Sequence, residues 1–571
     1  MQHYMAALNL LVGTLFMVWL AVRFGDFRDS NASDGPYFES STAYDWGAHG
    51  ISPEQTYRTF KQRSPKPNVL LQNEHCDTGF IFLNQPSAPY RAAPFMIFDN
   101  NANLVWMPED GWTGIGAEDV TVQQLNGRNY MVYRHLDTTR RRGSDRYIMM
   151  DESYQVFMEI RPLGYFSGEL RGLRITKNGG AIISFTNQTR SGLNDRSPSA
   201  QRTYESVFQE IDLESGELLF EWRAPSRTAS INSIDKGGDG DYLVAGSFSG
   251  SNTVICVGRK QGQVLWQLGG SGNDFKDASG GAATRFSGNH LASFVENKAS
   301  LVIIDRGPTK LSGSAGRWLD GHALEVELDL EQMVASVAEV YPMSRNGSIP
   351  SIQLLSNRNT LLSYDEMSSF REFSKGKVRC EVHFAPSKLR NLNRIPGMAA
   401  LAKDHDFHLS KFHWVGKPKN PPEIAVDPEE KAVYVSWNGA TSIDAWVLQS
   451  ARRGNSDTWS DDIRVPKVHF ETRIPIPRHS GPILRIVALD RDCKIAGYTR
   501  TASKHMKTTQ PIRKTERIPT WVVTGLSASF LGLYMYGRIH RVRHTMSPET
   551  VSGKHVVLTG HCANHLNDNK W

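Results

Sequence analysis

Cysteine is scarce, at 5 in 571 residues, and no two lie close enough to make a paired metal motif. A stripe of lysine and arginine with interleaved aromatics is also missing. The formal net charge of +6 is scattered, with its densest clusters beside the C-terminal apolar segment, so no nucleic-acid surface is read. The glycine-rich GGSGNDFKDASGG, residues 269–281, lacks the following helix with Lys-Ser/Thr that a phosphate cradle requires. It reads as the loop leading to His290. Charged residues make up only 22%, against 48 glycines and 10% aromatics. That balance fits a turn-rich all-β chain better than a helical or disordered one.

Long hydrophobic runs are confined to the two ends. MAALNLLVGTLFMVWLAV, residues 5–22, has bilayer-crossing length but sits where a signal peptide would. Residues 1–32 are therefore a signal peptide or a signal anchor with a short stem. IPTWVVTGLSASFLGLYMYG, residues 518–537, has the length of a transmembrane helix, with Trp521, Tyr534 and Tyr536 as interfacial anchors. The basic RIHRVRH after it makes 538–571 a cytosolic tail, and residues 501–517 a juxtamembrane stalk. This predicts a single-pass or double-anchored protein of the secretory pathway, with its body luminal or extracellular. Sequons at Asn31, Asn187 and Asn346 lie on that side. So do Cys76, Cys256, Cys380 and Cys493, an even number for an oxidising compartment, whose pairing the sequence leaves open.

A repeat organises the middle. FMIFDNNANLVWM, YIMMDESYQVFMEI, VFQEIDLESGELLFEW, VICVGRKQGQVLWQLGG, ALEVELDLEQMVASVAEVY and FREFSKGKVRCEVHF each read as strand, polar turn, strand. Between them run hairpins of a second kind, such as LRITKNGGAIISF and INSIDKGGDGDYLVAGS, turning on Asn, Gly and Asp. Two hairpins make a four-stranded blade. Six such units of about 50 residues fit between residues 79 and 390, the period of a propeller. GFIFLNQ, near residue 79, is expected to close the ring against the last blade. The fold predicted is all-β: a six-bladed β-propeller over 65–400, then a small β-sandwich-like domain over 417–500, flanked by the apolar segments. Strands of every blade reach a central channel, so a site spread over several hairpins is expected.

VFQEIDLESGELLFEW, INSIDKGGDGDYLV, VLWQLGGSGNDF, FHWVGKP and YVSWNGATSIDAWVL occur in that order. They resemble the signature segments of the fungal arylsulfotransferase-like proteins, relatives of bacterial arylsulfate sulfotransferases. The resemblance covers about residues 65–500. It implies a six-bladed propeller and a small β-domain. It also implies sulfuryl transfer between phenols through a covalent sulfo-histidine, with other histidines, an arginine and an asparagine holding the sulfate oxygens. That chemistry uses a neutral imidazole as nucleophile and fixed donors for the sulfuryl charge, and needs no metal or other cofactor.

Residue by residue, the resemblance sets His290 of FSGNHLASF in the nucleophile's place, with Asn289 where the family has glutamine. Leu291 and Ser293 replace its aspartate and arginine. The family's His-Ile-Asn reads Ser230-Ile231-Asn232, which keeps the asparagine alone. Ser247 stands for an arginine after YLVAG, and Arg171 in GELRGL for a histidine. His290 is thus the catalytic candidate, with Arg171, Asn232 and Asn289 as sulfate or substrate ligands. Two readings follow. In one, the Arg171 fork replaces lost donors and His290 remains the nucleophile. In the other, His290 is a packed core residue and the ring works as a ligand- or protein-binding module. The partners expected are a phenolic or aryl sulfate small molecule and a membrane, with no nucleic acid. His405, His408 and His413 are read as part of a solvated linker rather than a metal site, and TTRRRGSDR, residues 138–146, as a solvated loop.

Overall fold

The computed structural model describes residues 35–49, 53–84, 95–109, 116–136, 145–164, 168–190, 202–225, 229–248, 251–286, 294–295, 298–305, 322–342, 351–364, 368–388, 408–452 and 458–508. The chain divides into two units, Ser30–Ile512 and a second made of Met1–Asp29 and Arg513–Trp571, and everything described lies in the first. Among the described residues no helix is long and apolar enough to cross a membrane. The apolar segments 5–22 and 518–537, the tail, Asn289, His290, Asn31 and Asn346 all lie outside the described residues.

The protein is all-β, with one short helix, Ser41–Asp45, among the described residues. Six sheets of four or five strands follow one another. The first comprises Gly116–Leu125, Arg128–Leu136, Arg146–Met150 and Val156–Ile160. The second comprises Leu170–Ile175, Gly180–Arg190, Arg202–Asp212 and Leu218–Arg223, and the third Ser230–Lys236, Tyr242–Phe248, Ser251–Val257 and Val264–Leu268. The fourth runs from Phe294–Val295 to Val334–Pro342, where Lys276–Asp277 pairs parallel to its edge. The fifth runs from Ser351–Leu354 to Lys377–His383, and the sixth contains His408–Phe412, Phe80–Asn84, Phe95–Phe98 and Leu104–Trp106. Apart from that edge strand, all are antiparallel meanders, as the alternating apolar arms and Asn-Gly, Gly-Gly and Asp-Gly turns require.

The joining of the chain's two ends differs from the sequence expectation. Phe80–Asn84 of GFIFLNQ pairs with Phe95–Phe98, and its other edge takes His408–Phe412, the stretch read as a solvated linker. The segment that does reach the last hairpin is Asn68–Leu71, beside Lys377–His383. The reason lies in composition: HLSKF is a short alternating strand whose buried positions are Leu409 and Lys411, and a lysine at one of them breaks the apolar side of the pattern.

Two further sheets follow, Glu423–Asp427 with Ala432–Ser436 and Glu471–Pro475, and a larger one built on Ile443–Ala451 and Ile483–Asp490. They share one apolar cluster that includes Val433, Val435, Trp446, Leu448 and Ile486, because alternate residues of each strand face inward. Tyr154 secures them to the first and sixth sheets. Its ring stacks on Trp106 at 4.7 Å and its hydroxyl donates to the Gly439 carbonyl at 2.8 Å. A Cβ on Gly439 would come within 2.4 Å of that ring, and one on Gly416 within 2.2 Å of the hydroxyl. The glycines of FHWVGKP and YVSWNGATS are there for close approach.

The N-terminal stretch is clipped to the fifth sheet by His383, 2.9 Å from Asp45 and 3.1 Å from Glu381. Burial disfavours the imidazolium, but the two carboxylates outweigh it and hold His383 above its usual 6.5. Burial likewise opposes the Glu381 charge, yet His383 and Arg371 depress that carboxyl from 4.5 to about 2. The raised histidine gives stability that is complete below about pH 6.5 and is lost as pH rises through its folded value. The depressed glutamate gives stability that is complete above about pH 4.5 and is lost as pH falls toward about 2. We expect this clip to be tightest between those limits, with the urea midpoint falling from pH 6.5 upward and His383→Leu removing that slope. A wild-type slope retained in the variant would refute the assignment.

Candidate functional site

The site grows from the first strand of each sheet. Gln123 donates to the Leu173 carbonyl at 3.0 Å and accepts from Ile175 N at 2.6 Å, fixing the first strand of sheet one beside that of sheet two. Arg174 pairs with Asp235 at 3.4 Å, fixing sheet two beside sheet three. Gln353 brackets Lys411 in the same way between sheets five and six, accepting from its N and donating to its carbonyl. These first strands are therefore neighbours of one another.

Arg171 and Asn232 each lie three residues before their member of the Arg174–Asp235 pair. Both also occupy a bulge. Pairing with Gly180–Arg190 skips from Leu170 to Gly172 at Arg171, and pairing with Tyr242–Phe248 skips from Ile231 to Ser233 at Asn232. A bulged residue has no ladder partner opposite, and bulges re-aim side chains near sites. Sheet one has an irregularity between Glu118 and Thr121, where Asp119 takes a left-handed φ of 55°. Gly246, opposite Ile231, permits the third bulge: a Cβ there would lie 2.0 Å from the Ser230 carbonyl oxygen.

Sheets one and two are linked across this end by Arg134. It donates to the Leu170 carbonyl at 2.7 Å, immediately before Arg171, and pairs with Glu118 and with Asp119 at 3.1 Å. Burial opposes its charge, but Asp119 and Glu118 raise its pKa above the usual value. The Arg171 guanidinium is half exposed and bound to Glu169 at 3.1 Å. Three carboxylates thus meet two guanidiniums. An incoming anion must draw Arg171 away from Glu169, whereas an uncharged group meets no such competition.

Asn232 is half-buried on the third sheet. Ser247 lies within the strand Tyr242–Phe248, across from Ser230. Asn187 is half-buried in a strand opposite Glu205. The structure thus places Arg171 and Asn232 on neighbouring strands, while His290 and Asn289 precede the first strand of sheet four, outside the described residues. Sequence reasoning missed His408, which begins the first strand of sheet six and so belongs to the same series of strand starts as Arg171 and Asn232. The signal was its alternation with Leu409 and Lys411. His413 is elsewhere, exposed and 2.9 Å from Ser356 Oγ, and His405 lies outside the described residues.

The other resemblance segments are structural. Buried Glu210 of VFQEIDLESGELLFEW binds Lys236 Nζ at 2.7 Å and the Tyr242 hydroxyl, both from INSIDKGGDGDYLV, tying sheet two to sheet three. In the glycine-rich loop, Asn273 accepts from Gly269 N and Asp277 accepts from Thr284 N, each at 2.9 Å. That loop holds itself together. A cleft of about 450 Å³, lined by Phe80, Trp414, Thr441, Asp490 and Arg491, sits between the sixth sheet and the last two, away from the strand starts.

Residues 223–385 match the family model described as Arylsulfotransferase (ASST). The match runs from the end of the second sheet through the fifth and contains Asn232 and His290. No curated protein matches the chain. Among solved structures, a protein of unknown function from Bacteroides caccae is 15% identical, covering 53% of this chain and 93% of that one, with a TM-score of 0.32. The Dos1 propeller is 8% identical over 65% of this chain and 76% of that one, TM-score 0.28. A streptogramin B lyase is 9% identical over 74% and 95%, TM-score 0.29. Such low scores carry no chemistry across, and the architecture rests on the sheets themselves.

Proposed function

We propose that the six sheets are blades of one ring, and that the end bearing their first-strand starts is the binding mouth of an arylsulfotransferase-like protein acting on aryl sulfates and phenols. The observation that carries this reading is the placement of Arg171 and Asn232 on neighbouring strands, each at a bulge of its sheet. The family match over residues 223–385 supplies the substrate class. In this reading a His290 imidazole nitrogen attacks the sulfur of an aryl sulfate, the S–O bond breaks, and the phenolate leaves and takes up a proton. The oxygen of a second phenol then attacks the sulfo-histidine, the S–N bond breaks, and the acceptor's proton passes to solvent. Arg171 and Asn232 hold the sulfuryl oxygens.

A second reading is favoured by one contact, the Glu169 carboxylate on Arg171, which weakens the mouth as an anion site. In it the ring binds a ligand without transferring a group. The test is intact mass of the full-length protein incubated with 4-nitrophenyl sulfate. Transfer predicts an added sulfuryl group that disappears in His290→Ala, and a loss of about 10²-fold or more in phenol release for Arg171→Ala, as for removal of one oxyanion donor. No adduct in well-folded wild-type protein leaves the binding reading. We also read the chain as membrane-anchored through its terminal apolar segments with the body in an oxidising compartment. The bond between Cys76 and Cys380 supports that placement.

A further inference from the structure

The cleft between the sixth sheet and the last two has the size of a small-molecule site: its volume is about 450 Å³, within the usual range of about 300–1,000 Å³. The sixth sheet and the segment after it give its apolar side. Phe80 is half-buried at the start of its strand and Val415 is 47% exposed, both beside the buried Trp414. The larger of the last two sheets gives the polar side, with the hydroxyls of Thr441 and Ser442 and the turn Asp490–Arg491–Asp492. Both sides are fixed in place. The Trp414 indole donates to the Tyr154 hydroxyl at 3.1 Å. Thr441 Oγ1 accepts from Gly416 N at 2.9 Å, and Thr441 N donates to the Gly416 carbonyl at 3.3 Å. Asp490 Oδ1 holds the turn by accepting from Asp492 N at 2.9 Å and Lys494 N at 2.8 Å. Ile443 pairs with Asp490 across the ladder, which sets Ser442 next to that turn. Within this rigid frame the side chains of Ser442 and Arg491 are exposed and make no hydrogen bond or ion pair among the described residues.

We propose that this cleft binds a neutral saccharide, with the CH face of one sugar ring against Phe80 and Val415 and its hydroxyls toward Ser442, Arg491 and Asp492. The site is separate from the mouth and does not rest on the transfer reading. The lining selects the ligand. Arg491 and Asp492 are exposed and Asp490 is half-buried, so attraction of a ligand charge is screened there and worth little. Two carboxylates to one guanidinium also oppose an anion, while Arg491 opposes a cation. What remains is a fixed set of donors and acceptors: the guanidinium donates, the carboxylates accept, and a ligand hydroxyl does both. A wholly apolar ligand would strip water from those groups and give no hydrogen bond in return. A phenol or aryl sulfate carries one polar group and leaves most of the set unmet. Several hydroxyls on one side and a hydrocarbon face on the other describe a sugar ring.

The test titrates the full-length protein by calorimetry with the methyl glycosides of glucose, galactose, mannose and N-acetylglucosamine. Cellotriose and chitotriose are run beside them: tighter binding of a trisaccharide marks a glycan chain running out of the cleft, equal binding a free sugar. Phenylalanine serves as a zwitterionic probe and 4-nitrophenyl sulfate as a probe of the mouth. Arg491→Ala, in an exposed turn, is expected to weaken the best-bound glycoside by about tenfold or more, the loss of a hydrogen bond to a charged group. Val415→Asp sets an unpaired charge against the CH face and is expected to weaken it at least as much. Asp492→Asn keeps an acceptor and is expected to weaken it less than Arg491→Ala does. All three should bind 4-nitrophenyl sulfate as wild type does, and the two exposed-turn variants keep the test alive if Val415→Asp does not fold. No glycoside bound by wild type, or wild-type affinity in both Arg491→Ala and Val415→Asp, overturns the proposal. Phenylalanine displacing the glycosides, with Asp492→Asn as damaging as Arg491→Ala, would make the cleft an ionic site and overturns it too. Glycoside binding lost in the variants while no form binds 4-nitrophenyl sulfate would sink the mouth reading and leave this site standing.

Discussion

Lys411→Met is expected to cost about 3–5 kcal/mol of stability, read as a lowered urea midpoint at unchanged slope, because it strands a buried carboxylate. The Lys411 and Glu372 side chains are 1% and 0% exposed and 2.9 Å apart. The ammonium's three donors are all used: on Glu372 Oε2, the Asp77 carbonyl at 2.9 Å and Asn100 Oδ1 at 2.8 Å. The other Glu372 oxygen accepts from Asp77 N and Asn359 Nδ2, each at 2.6 Å. One ion pair therefore joins the strand His408–Phe412 to sheet five, to the segment before Phe80, and to the turn after Phe98. Methionine matches the stem but leaves the charge unpaired in an apolar setting. Adding Glu372→Gln is expected to restore part of the loss, since a neutral amide can still accept from Asp77 and Asn359. A single variant within about 1 kcal/mol of wild type would show that water reaches Glu372 and that the pair does not hold this junction.

That junction also marks where the sequence was legible and where it was not. Hairpins with Asn-Gly or Gly-Gly turns and alternating arms announce themselves locally, so the pairing of Leu170–Ile175 with Gly180–Arg190, or of Ser230–Lys236 with Tyr242–Phe248, follows from the chain alone. The partners of Asn68–Leu71 and His408–Phe412 are set by tertiary packing over separations of about 300 residues, which no local pattern carries. HLSKF looked like solvated linker because its lysine is polar, and only the acceptors waiting around Glu372 make it a buried strand residue. The candidate site shows the same division. Arg171 and Asn232 were found by resemblance, but the bulges at which they sit come from cross-strand register.

Removing the disulfide with Cys76→Ser and Cys380→Ser together is expected to lower stability by about 2–5 kcal/mol, the second large effect at the same closure. Cys76 and Cys380 are 304 residues apart with Cα atoms 5.8 Å apart, so the bond removes a very long loop from the unfolded ensemble. Cys380 lies on the strand that pairs with Asn68–Leu71, directly opposite Glu372. Bond, strand pairing and ion pair thus act on one seam, where the start of the chain meets the end of the repeat. Because the sites touch, losses from the double cysteine variant and from Lys411→Met should not add; a coupling of at least about 0.5 kcal/mol is expected in a double-mutant cycle. Both cysteines are 5% exposed or less, so a mild reductant should leave the native bond intact and cleave it only after unfolding. Cys256 should report the same event, since it is buried, with its thiol pushed up to about 12 by burial and then by Asp241. It should stay unlabelled by alkylating agents until the seam opens. Strict additivity, or labelling of Cys256 in protein whose disulfide is still closed, would show that the fold opens elsewhere first.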